Sequence, residues 1–167
     1  MVSSIVVVIT DANVLINFYY IGRLDLLGRL KPYRFRIPFE VLREITDPDQ
    51  FAAVETAIAS GHLETLAIDS LEALALFAEL REVMGNGEAA CLAAAATNGV
   101  YIASDERKRF RRKAIELLGE GRILRTEDLL LYAIREELVS IGQCDGFKAE
   151  LAAHRYVMPF DSFAEKI

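Results

Sequence analysis

The chain has 167 residues, 53% of them hydrophobic, with a mean hydropathy of +0.23 and a formal net charge of −6. This length favours one domain with a sizeable core over residues 1–167, and the apolar share excludes a disordered chain. No apolar run approaches the roughly 20 residues of a membrane span, and the N-terminal stretch has neither the basic region nor the cleavage site of a signal peptide.

The first elements predicted are a buried strand and a helical region. Residues 5–10 are all β-branched and apolar up to Thr10, a continuous run typical of a strand buried on both faces of a parallel sheet. Residues 12–30 follow a helical pattern in which Gly22 and Gly28 are expected to break or cap the helix. Asp11 lies at the junction of the two.

The middle of the chain alternates between strands and helices. A short strand at 33–38 leads into a helix for which Pro38 suits the first position, and the turn residues 46–50 end that helix. The next predicted elements are a helix from 51 closed by Gly61, a strand at 62–68, a helix at 71–84 capped by Asp69 or Ser70, and a helix at 88–98 that follows the break GNG (85–87) and is closed by Gly99.

The last part of the chain continues this alternation. Its predicted elements are a buried strand at 100–104, a basic helix from near Glu106 to about Gly119, a short strand at 122–124, a helix that Thr126 could cap, and a helix around 147–154. Strands that alternate with helices along the whole chain predict an α/β fold with a mainly parallel sheet.

The two cysteines and two histidines predict no redox or zinc chemistry. Cys91 and Cys144 form no CxxC motif, which excludes a disulfide scaffold or a zinc ribbon and favours a reducing, cytoplasmic compartment. His62 and His154 stand alone in the sequence and are expected to be surface or packing residues.

Acidic residues lie where one pocket could collect them. Asp11 and Asp105 each follow a buried strand, and ligand sites in open α/β sheets lie at the carboxyl ends of the strands. Glu88 begins the helix after GNG, and Glu44 lies one helical turn after Glu40. Two carboxylates about 4 Å apart repel by roughly 4 kcal/mol at an effective dielectric of about 20, so convergence of these acids would require a cation or protonation.

Each acid also has a structural interpretation that the residues alone leave open. Asp11 can cap the helix that follows it, and Glu88 in a first helical turn can stabilise the macrodipole. Glu44 and Glu40 can be solvated helix charges. Together, the carboxylates favour one or two Mg²⁺ or Mn²⁺ ions, which accept few protein ligands plus substrate phosphate oxygens and can activate water for phosphodiester hydrolysis.

Four stretches resemble the acidic motifs of PIN-domain proteins, of the small stand-alone kind that includes the toxin ribonucleases of toxin–antitoxin pairs. In order they are ITDANVLIN, IPFEVLREI, GNGEAACLAAA and YIASDERKRFRRKA. Their order and spacing match over residues 5–138, and the tail from about 140 to 167 is variable. The resemblance implies a three-layer α/β/α sandwich around a mainly parallel sheet.

The resemblance also implies an endoribonuclease that depends on Mg²⁺ or Mn²⁺ and leaves a 5′-phosphate. Its catalytic acids would be Asp11, Glu44, Glu88 and Asp105, with the metal held by Asp11, Glu88 and Asp105. Asn13, Ser104 and Glu106 would orient ligands or water around them. Either Asp105 or Glu106 could face the metal, and we expect Asp105 because it directly follows the strand. An antitoxin protein and a second copy of the chain are the partners that the resemblance implies.

The segment RKRFRRK (107–113) holds six positive charges in seven positions, which leaves −12 for the rest of the chain. In a helix that begins near Glu106, Phe110, Ala114, Leu117 and Leu118 would form an apolar stripe. The opposite face would carry the basic residues Lys108, Arg109, Arg112 and Lys113. Such a face is usually only solvated, but near Asp105 it could contact RNA phosphates or an acidic antitoxin segment.

Two other functions compete with the nuclease. A haloacid-dehalogenase-like phosphatase also uses an aspartate at a strand end, but it requires a second aspartate two residues later, where this chain has Asn13. A catalytically silent PIN module that binds RNA or a protein partner would keep the fold without the chemistry. Replacement of Asp11 by Asn would separate a nuclease from a binding module.

Overall fold

The computed structural model describes residues 4–167, and residues 1–3 of the predicted domain lie outside the described residues. Five strands form one sheet in the order β3-β2-β1-β4-β5, and every neighbouring pair is parallel. The strands are β1 (Val6–Thr10), β2 (Tyr33–Pro38), β3 (Glu64–Leu66), β4 (Tyr101–Ala103) and β5 (Ile123–Leu124). The predicted parallel sheet is confirmed.

Helices cover both faces of this sheet and complete the α/β/α sandwich. They are α1 (Ala12–Tyr20), α2 (Asp25–Arg29), α3 (Phe39–Glu44), α4 (Pro48–Ala59), α5 (Leu71–Leu80), α6 (Asn86–Asn98), α7 (Arg109–Leu118), α8 (Thr126–Arg135) and α9 (Ile141–Ala153). Helix α6 packs on β1, β2 and β4 and against α5 and α7, whereas α1 packs with α4, α8 and α9. No helix within residues 4–167 is long and apolar enough to cross a membrane.

The composition of β1 and α6 explains why these two elements form the centre of the molecule. The β-branched residues of β1 suit a strand with neighbours on both sides, and Val8 is completely buried. Helix α6 is buried on nearly all sides, including Ala90, Cys91 and Ala94. Its small side chains let it lie close to the sheet, and a helix that is apolar all round is expected to be buried.

Several helices begin or end at the capping residues that the local sequence predicted. The Ser70 hydroxyl caps α5 by accepting a hydrogen bond from the backbone N–H of Ala73, at 3.1 Å. Gly61 and Gly99 follow α4 and α6 with φ of 80° and 62°, a left-handed conformation that glycine adopts without strain.

One predicted break was wrong, and another was too long. Gly28 lies inside α2, where a Cβ atom would lie 2.4 Å from Nδ1 of His62, so this glycine permits close packing instead of ending the helix. The break at GNG is shorter than predicted, because Gly85 is the N-cap and α6 begins at Asn86, two residues before the predicted start. His62 is thus a packing residue, and His154 stacks on Tyr20 with ring centroids 3.6 Å apart.

Other predicted helix starts shift by a few residues. Asp47 caps α4, which therefore begins at Pro48 inside the predicted turn. Pro38 ends β2 and is the N-cap of α3 instead of its first residue. The basic helix begins at Arg109 and not near Glu106, and the N-cap of α8 is Arg125, so Thr126 is not the cap.

Candidate active site

The sheet topology brings two polar segments to one edge. Strands β1 and β4 are parallel neighbours with Thr10 opposite Ala103, and the backbone N–H of Asp11 donates to the Ala103 carbonyl oxygen at 2.9 Å. Asp11 and the residues that follow β4 are therefore fixed side by side. This edge lies at the carboxyl ends of the strands, where open α/β sheets bind ligands.

Asp11 serves both as a helix cap and as a buried acid. Its side chain is 4% exposed, and its carboxylate accepts hydrogen bonds from the Ala12 N–H at 2.8 Å and from the Ser104 hydroxyl at 3.3 Å. Burial raises the pKa of Asp11 to about 7, and the negative charges of Glu106 and Glu88 add to that increase. The carboxylate therefore lies in a field that favours a proton or a cation.

Glu88 lies in the first turn of α6 and belongs to the same group of charges. Burial, followed by the charges of Glu106 and Glu44, raises the pKa of Glu88, while the charge of Arg109 lowers it. The structure thus brings Asp11, Glu88 and Glu106 into electrostatic contact, although they come from three different elements.

Glu44 is held by the glycine of the GNG stretch. One of its carboxylate oxygens accepts a hydrogen bond from the Gly87 N–H at 2.8 Å, in the first turn of α6. A Cβ atom on Gly87 would lie only 2.3 Å from Oε2 of Glu44. A side chain at this position would therefore displace the Glu44 carboxylate, because the backbone of α6 approaches it so closely.

The buried thiol of Cys91 marks the place where the acids converge. Burial, followed by the charges of Asp11, Glu44, Glu40 and Glu88, raises the pKa of Cys91 well above its usual value. Glu40, which we expected to be a solvated charge, has a buried Oε2 atom with no hydrogen-bond partner in the described part of the chain. Negative charge therefore accumulates around Cys91, and the Glu40 Oε2 atom has no donor among the described residues.

Asp105 lies beside these acids, but its carboxylate forms hydrogen bonds with a different set of residues. Its side chain is 4% exposed, and its Oδ1 accepts from the backbone N–H of Thr126 and from the Tyr156 hydroxyl, each at 2.8 Å. Its Oδ2 accepts from the Thr126 hydroxyl at 2.5 Å and from the Asn17 amide at 2.9 Å. The carboxylate is thus occupied by protein donors.

Glu106, and not Asp105 as we expected, is the residue after β4 whose charge contributes to the raised pKa values of Asp11 and Glu88. Its Oε1 accepts from the Asn13 amide at 3.1 Å, and its backbone N–H donates to the Ser104 hydroxyl at 3.2 Å. The Asn13 amide oxygen in turn accepts from the Asp105 N–H at 3.2 Å. The orienting positions expected for Asn13 and Ser104 agree with these contacts.

The basic residues border the acids but are not all free to bind a ligand. Arg109 donates to the Val83 carbonyl oxygen at 2.8 Å, and the Lys113 ammonium lies 3.4 Å from a Glu116 carboxylate oxygen. Lys108 and Arg112 are exposed. The predicted apolar stripe of α7 is confirmed at its buried residues Phe110 and Ala114 and is half-buried at Leu117 and Leu118.

The carboxylates at this edge of the sheet are the groups that could hold a divalent ion. Among residues 4–167, no group of three or more His, Cys, Asp or Glu side chains forms a complete metal site. The carboxylates nevertheless fit a hard cation, because the orphaned Oε2 of Glu40 and the raised pKa values of Asp11 and Glu88 indicate uncompensated negative charge. An ion that keeps several waters and takes few protein oxygens is compatible with this arrangement.

The sequence-based argument missed four residues of this region. Asn17 lies one helical turn after Asn13 and therefore on the same face of α1, so the helical period could have indicated it. Gly87 belongs to a quoted motif, but the need for glycine depends on Glu44. No signal in the sequence points to the contacts of Thr126 or Tyr156 with Asp105.

Comparison with known families supports the same reading of the fold. No curated protein matches this chain. A family model described as a PIN domain matches residues 7–140, which is most of the chain and includes the acids from Asp11 to Glu106 but not Tyr156. The chain therefore belongs to the PIN-domain family.

Proposed function

We propose that this protein is a metal-dependent endoribonuclease that hydrolyses RNA phosphodiester bonds, as the toxin or a toxin-like member of a toxin–antitoxin pair. Membership of the PIN family supports a nuclease-type fold. The observation that carries the proposal is the group of carboxylates whose charges meet around Cys91 at the carboxyl edge of the sheet, to which Glu106 adds.

In this proposal Asp11, Glu88 and Glu106 hold one or two Mg²⁺ or Mn²⁺ ions, and Glu44 completes the site. Glu106 replaces Asp105 as a metal ligand, because the oxygens of Asp105 already accept hydrogen bonds from protein donors. A bound ion would supply the positive charge that activates a water molecule and stabilises the leaving oxygen. The protein's own contribution is to hold the carboxylates on rigid backbone.

The exposed residues Lys108 and Arg112 would contact the phosphates of the RNA. They lie close in sequence to Glu106, so a strand bound along α7 could reach the acids. Contacts of this kind give affinity without sequence selectivity.

Cleavage of a mixed pool of tRNA and unstructured RNA in Mn²⁺ tests the proposal. We expect cleavage by the wild type only, with none after addition of EDTA and none by the Asp11→Asn variant. Asp49→Asn, an exposed acid in the first turn of α4, is the matched control and should cleave as the wild type does. Equal cleavage by all samples would indicate a contaminating nuclease and contradict the proposal.

A silent PIN module is the second candidate function. The observation that favours it is that, within residues 4–167, the acids do not form a complete metal site. A binding module would retain its affinity for RNA or a protein after the Asp11→Asn change, whereas the nuclease would lose cleavage. The phosphatase alternative predicts hydrolysis of a small phosphomonoester, which we do not expect.

The toxin-type resemblance carries further proposals. An acidic segment of an antitoxin would bind the basic residues of α7, and two copies of the chain would form a dimer. Both cysteines are buried and unpaired, which is compatible with the proposed cytoplasmic setting. Sedimentation equilibrium tests the dimer, and co-purification with the product of a neighbouring gene tests the antitoxin.

A further inference from the structure

The C-terminal segment reaches the candidate site through one side chain, Tyr156. The Tyr156 hydroxyl lies 2.8 Å from Oδ1 of Asp105, forms a hydrogen bond with the Glu127 carboxylate, and accepts from Arg125 at 3.4 Å. The hydroxyl has one proton, so it donates to one carboxylate at a time. Because the match to the PIN family ends at residue 140, this contact comes from a part of the chain that the family model does not cover.

Tyr156 is one of several residues that hold the Asp105 carboxylate, and its hydroxyl is joined there by the Arg125 guanidinium, 3.9 Å from Oδ1. The others are Thr126 at the start of α8 and Asn17 on α1. The backbone N–H of Asp105 donates to the Asn13 side chain. Residues that are distant in sequence therefore hold both the side chain and the backbone of Asp105 in place.

The segment that follows Asp105 depends on this anchoring. Glu106 is exposed, and its Oε1 accepts a hydrogen bond from the Asn13 amide at 3.1 Å. Residues 105–108 form neither helix nor strand before α7 begins at Arg109. Lys108 has a φ of 57°, which is costly for a residue with a side chain and persists only where the surroundings enforce it.

We propose that Tyr156 is a positioning residue that fixes Glu106 at the candidate metal site by anchoring its neighbour Asp105. The role of Glu106 as a metal ligand rests on the proposed function, whereas the anchoring of residues 105–108 does not. The C-terminal segment beyond the family match would thus complete the site without contributing a ligand. Outer partners of metal ligands typically affect metal affinity about 10- to 100-fold. Tyr156 acts through one further residue, so we expect a smaller effect.

The Tyr156→Phe variant tests this proposal, because it removes only the hydroxyl and keeps the ring. Tyr132→Phe is the matched control: its hydroxyl donates to the Lys31 carbonyl oxygen at 2.6 Å, at the opposite end of β2 from the acids. Three quantities are measured on the full chain. They are the Mn²⁺ dissociation constant from the electron paramagnetic resonance of free Mn²⁺, the rate of trypsin cleavage after Arg107 and Lys108 in the folded protein, and the unfolding temperature.

We expect Tyr156→Phe to weaken Mn²⁺ binding by about three- to tenfold and to accelerate cleavage after Arg107 and Lys108 by about two- to fivefold, since proteolysis reports local opening. Tyr132→Phe should change neither quantity. A lower unfolding temperature alone, with both other quantities as in the wild type, would make Tyr156 merely structural and overturn the proposal.

The same measurements test the positioning role of Tyr156 separately from the proposed nuclease function. If the wild type binds no Mn²⁺, the metal-dependent function is contradicted, while faster cleavage of Tyr156→Phe after Arg107 and Lys108 would still support the anchoring. If the wild type binds Mn²⁺ and Tyr156→Phe matches it in affinity and cleavage, the proposed function stands and the positioning role is refuted.

Discussion

Two groups of carboxylates lie at the same edge of the sheet and differ in how their charge is compensated. The Asp105 carboxylate accepts hydrogen bonds from Thr126 and Asn17 and contacts Tyr156. Burial, followed by the charges of Glu106 and Glu88, instead raises the pKa of Asp11, and burial with the charges of Glu106 and Glu44 raises the pKa of Glu88. A buried carboxylate surrounded by donors suits a structural role, whereas a group of carboxylates whose charges act on one another favours a proton or a cation.

A position directly after a strand does not by itself determine the role of an aspartate. Asp11 and Asp105 both follow strands that are neighbours in the sheet, yet one faces the acids and the other is anchored among donors. Adjacent residues, Asp105 and Glu106, fall into different groups. Four predictions test this division, beginning with the largest expected effect.

Replacement of Glu106 by Gln should affect RNA cleavage, whereas replacement of its neighbour Asp105 by Asn should affect stability. Glu106→Gln should lower RNA cleavage by at least about 100-fold, because even outer partners of metal ligands cost about 10- to 100-fold, and it should change the free energy of unfolding by less than about 0.5 kcal/mol. Asp105→Asn should lower the free energy of unfolding by about 1–3 kcal/mol, because an amide N–H₂ would face the donors of Thr126 or Asn17.

Urea unfolding followed by circular dichroism measures the stability of both variants, and the RNA assay measures cleavage. Equal losses of stability in Glu106→Gln and Asp105→Asn would contradict the division into two groups.

The metal should stabilise the wild type but not the Asp11→Asn variant. Mn²⁺ at 100 times its dissociation constant adds about 2.7 kcal/mol to the free energy of unfolding, which scanning calorimetry detects as a higher unfolding temperature. In EDTA, Asp11→Asn should be as stable as the wild type, because Asn also caps helices well and brings no buried charge. Equal Mn²⁺ stabilisation of both proteins would place the ion elsewhere.

The two glycines of GNG should differ in their sensitivity to alanine. In Gly87→Ala the new Cβ atom would lie 2.3 Å from Oε2 of Glu44, so Glu44 must move, and we expect cleavage to fall about tenfold. Gly85→Ala is the matched control, because a Cβ atom there meets no heavy atom within 4 Å. Similar activities of the two variants would show that the position of Glu44 does not matter.

The smallest effect is expected at the basic residues outside both groups. The double change Lys108→Ala with Arg112→Ala should weaken binding of single-stranded RNA and reduce the slope of log affinity against log salt concentration by about 1.4, since each phosphate contact adds about 0.7. Arg29→Ala, which removes a charge paired with Asp25 on α2, should leave the slope unchanged. Fluorescence anisotropy over a salt series measures both, and an unchanged slope for the double variant would exclude these contacts.

The fold could be predicted because its signals are local. The β-branched run of β1 and the alternation of strands and helices predicted a parallel sheet, and the caps at Ser70, Gly61 and Gly99 depend only on neighbouring residues. The errors at Gly28 and Thr126 have one cause: each residue contacts a distant partner, His62 or Asp105, that no local pattern reveals.

By itself, the sequence determined the sheet, the order of the four acidic motifs and the placement of Asp11, Glu44 and Glu88 near one another. Those properties follow from hydrophobic periodicity and from strand ends that meet at one edge of a parallel sheet. Only the tertiary structure decided which of Asp105 and Glu106 turns toward the buried donors. That choice depends on where Asn17, Thr126 and Tyr156 lie, because a buried carboxylate turns toward the donors that can satisfy it, and those donors come from α1, α8 and the segment after α9.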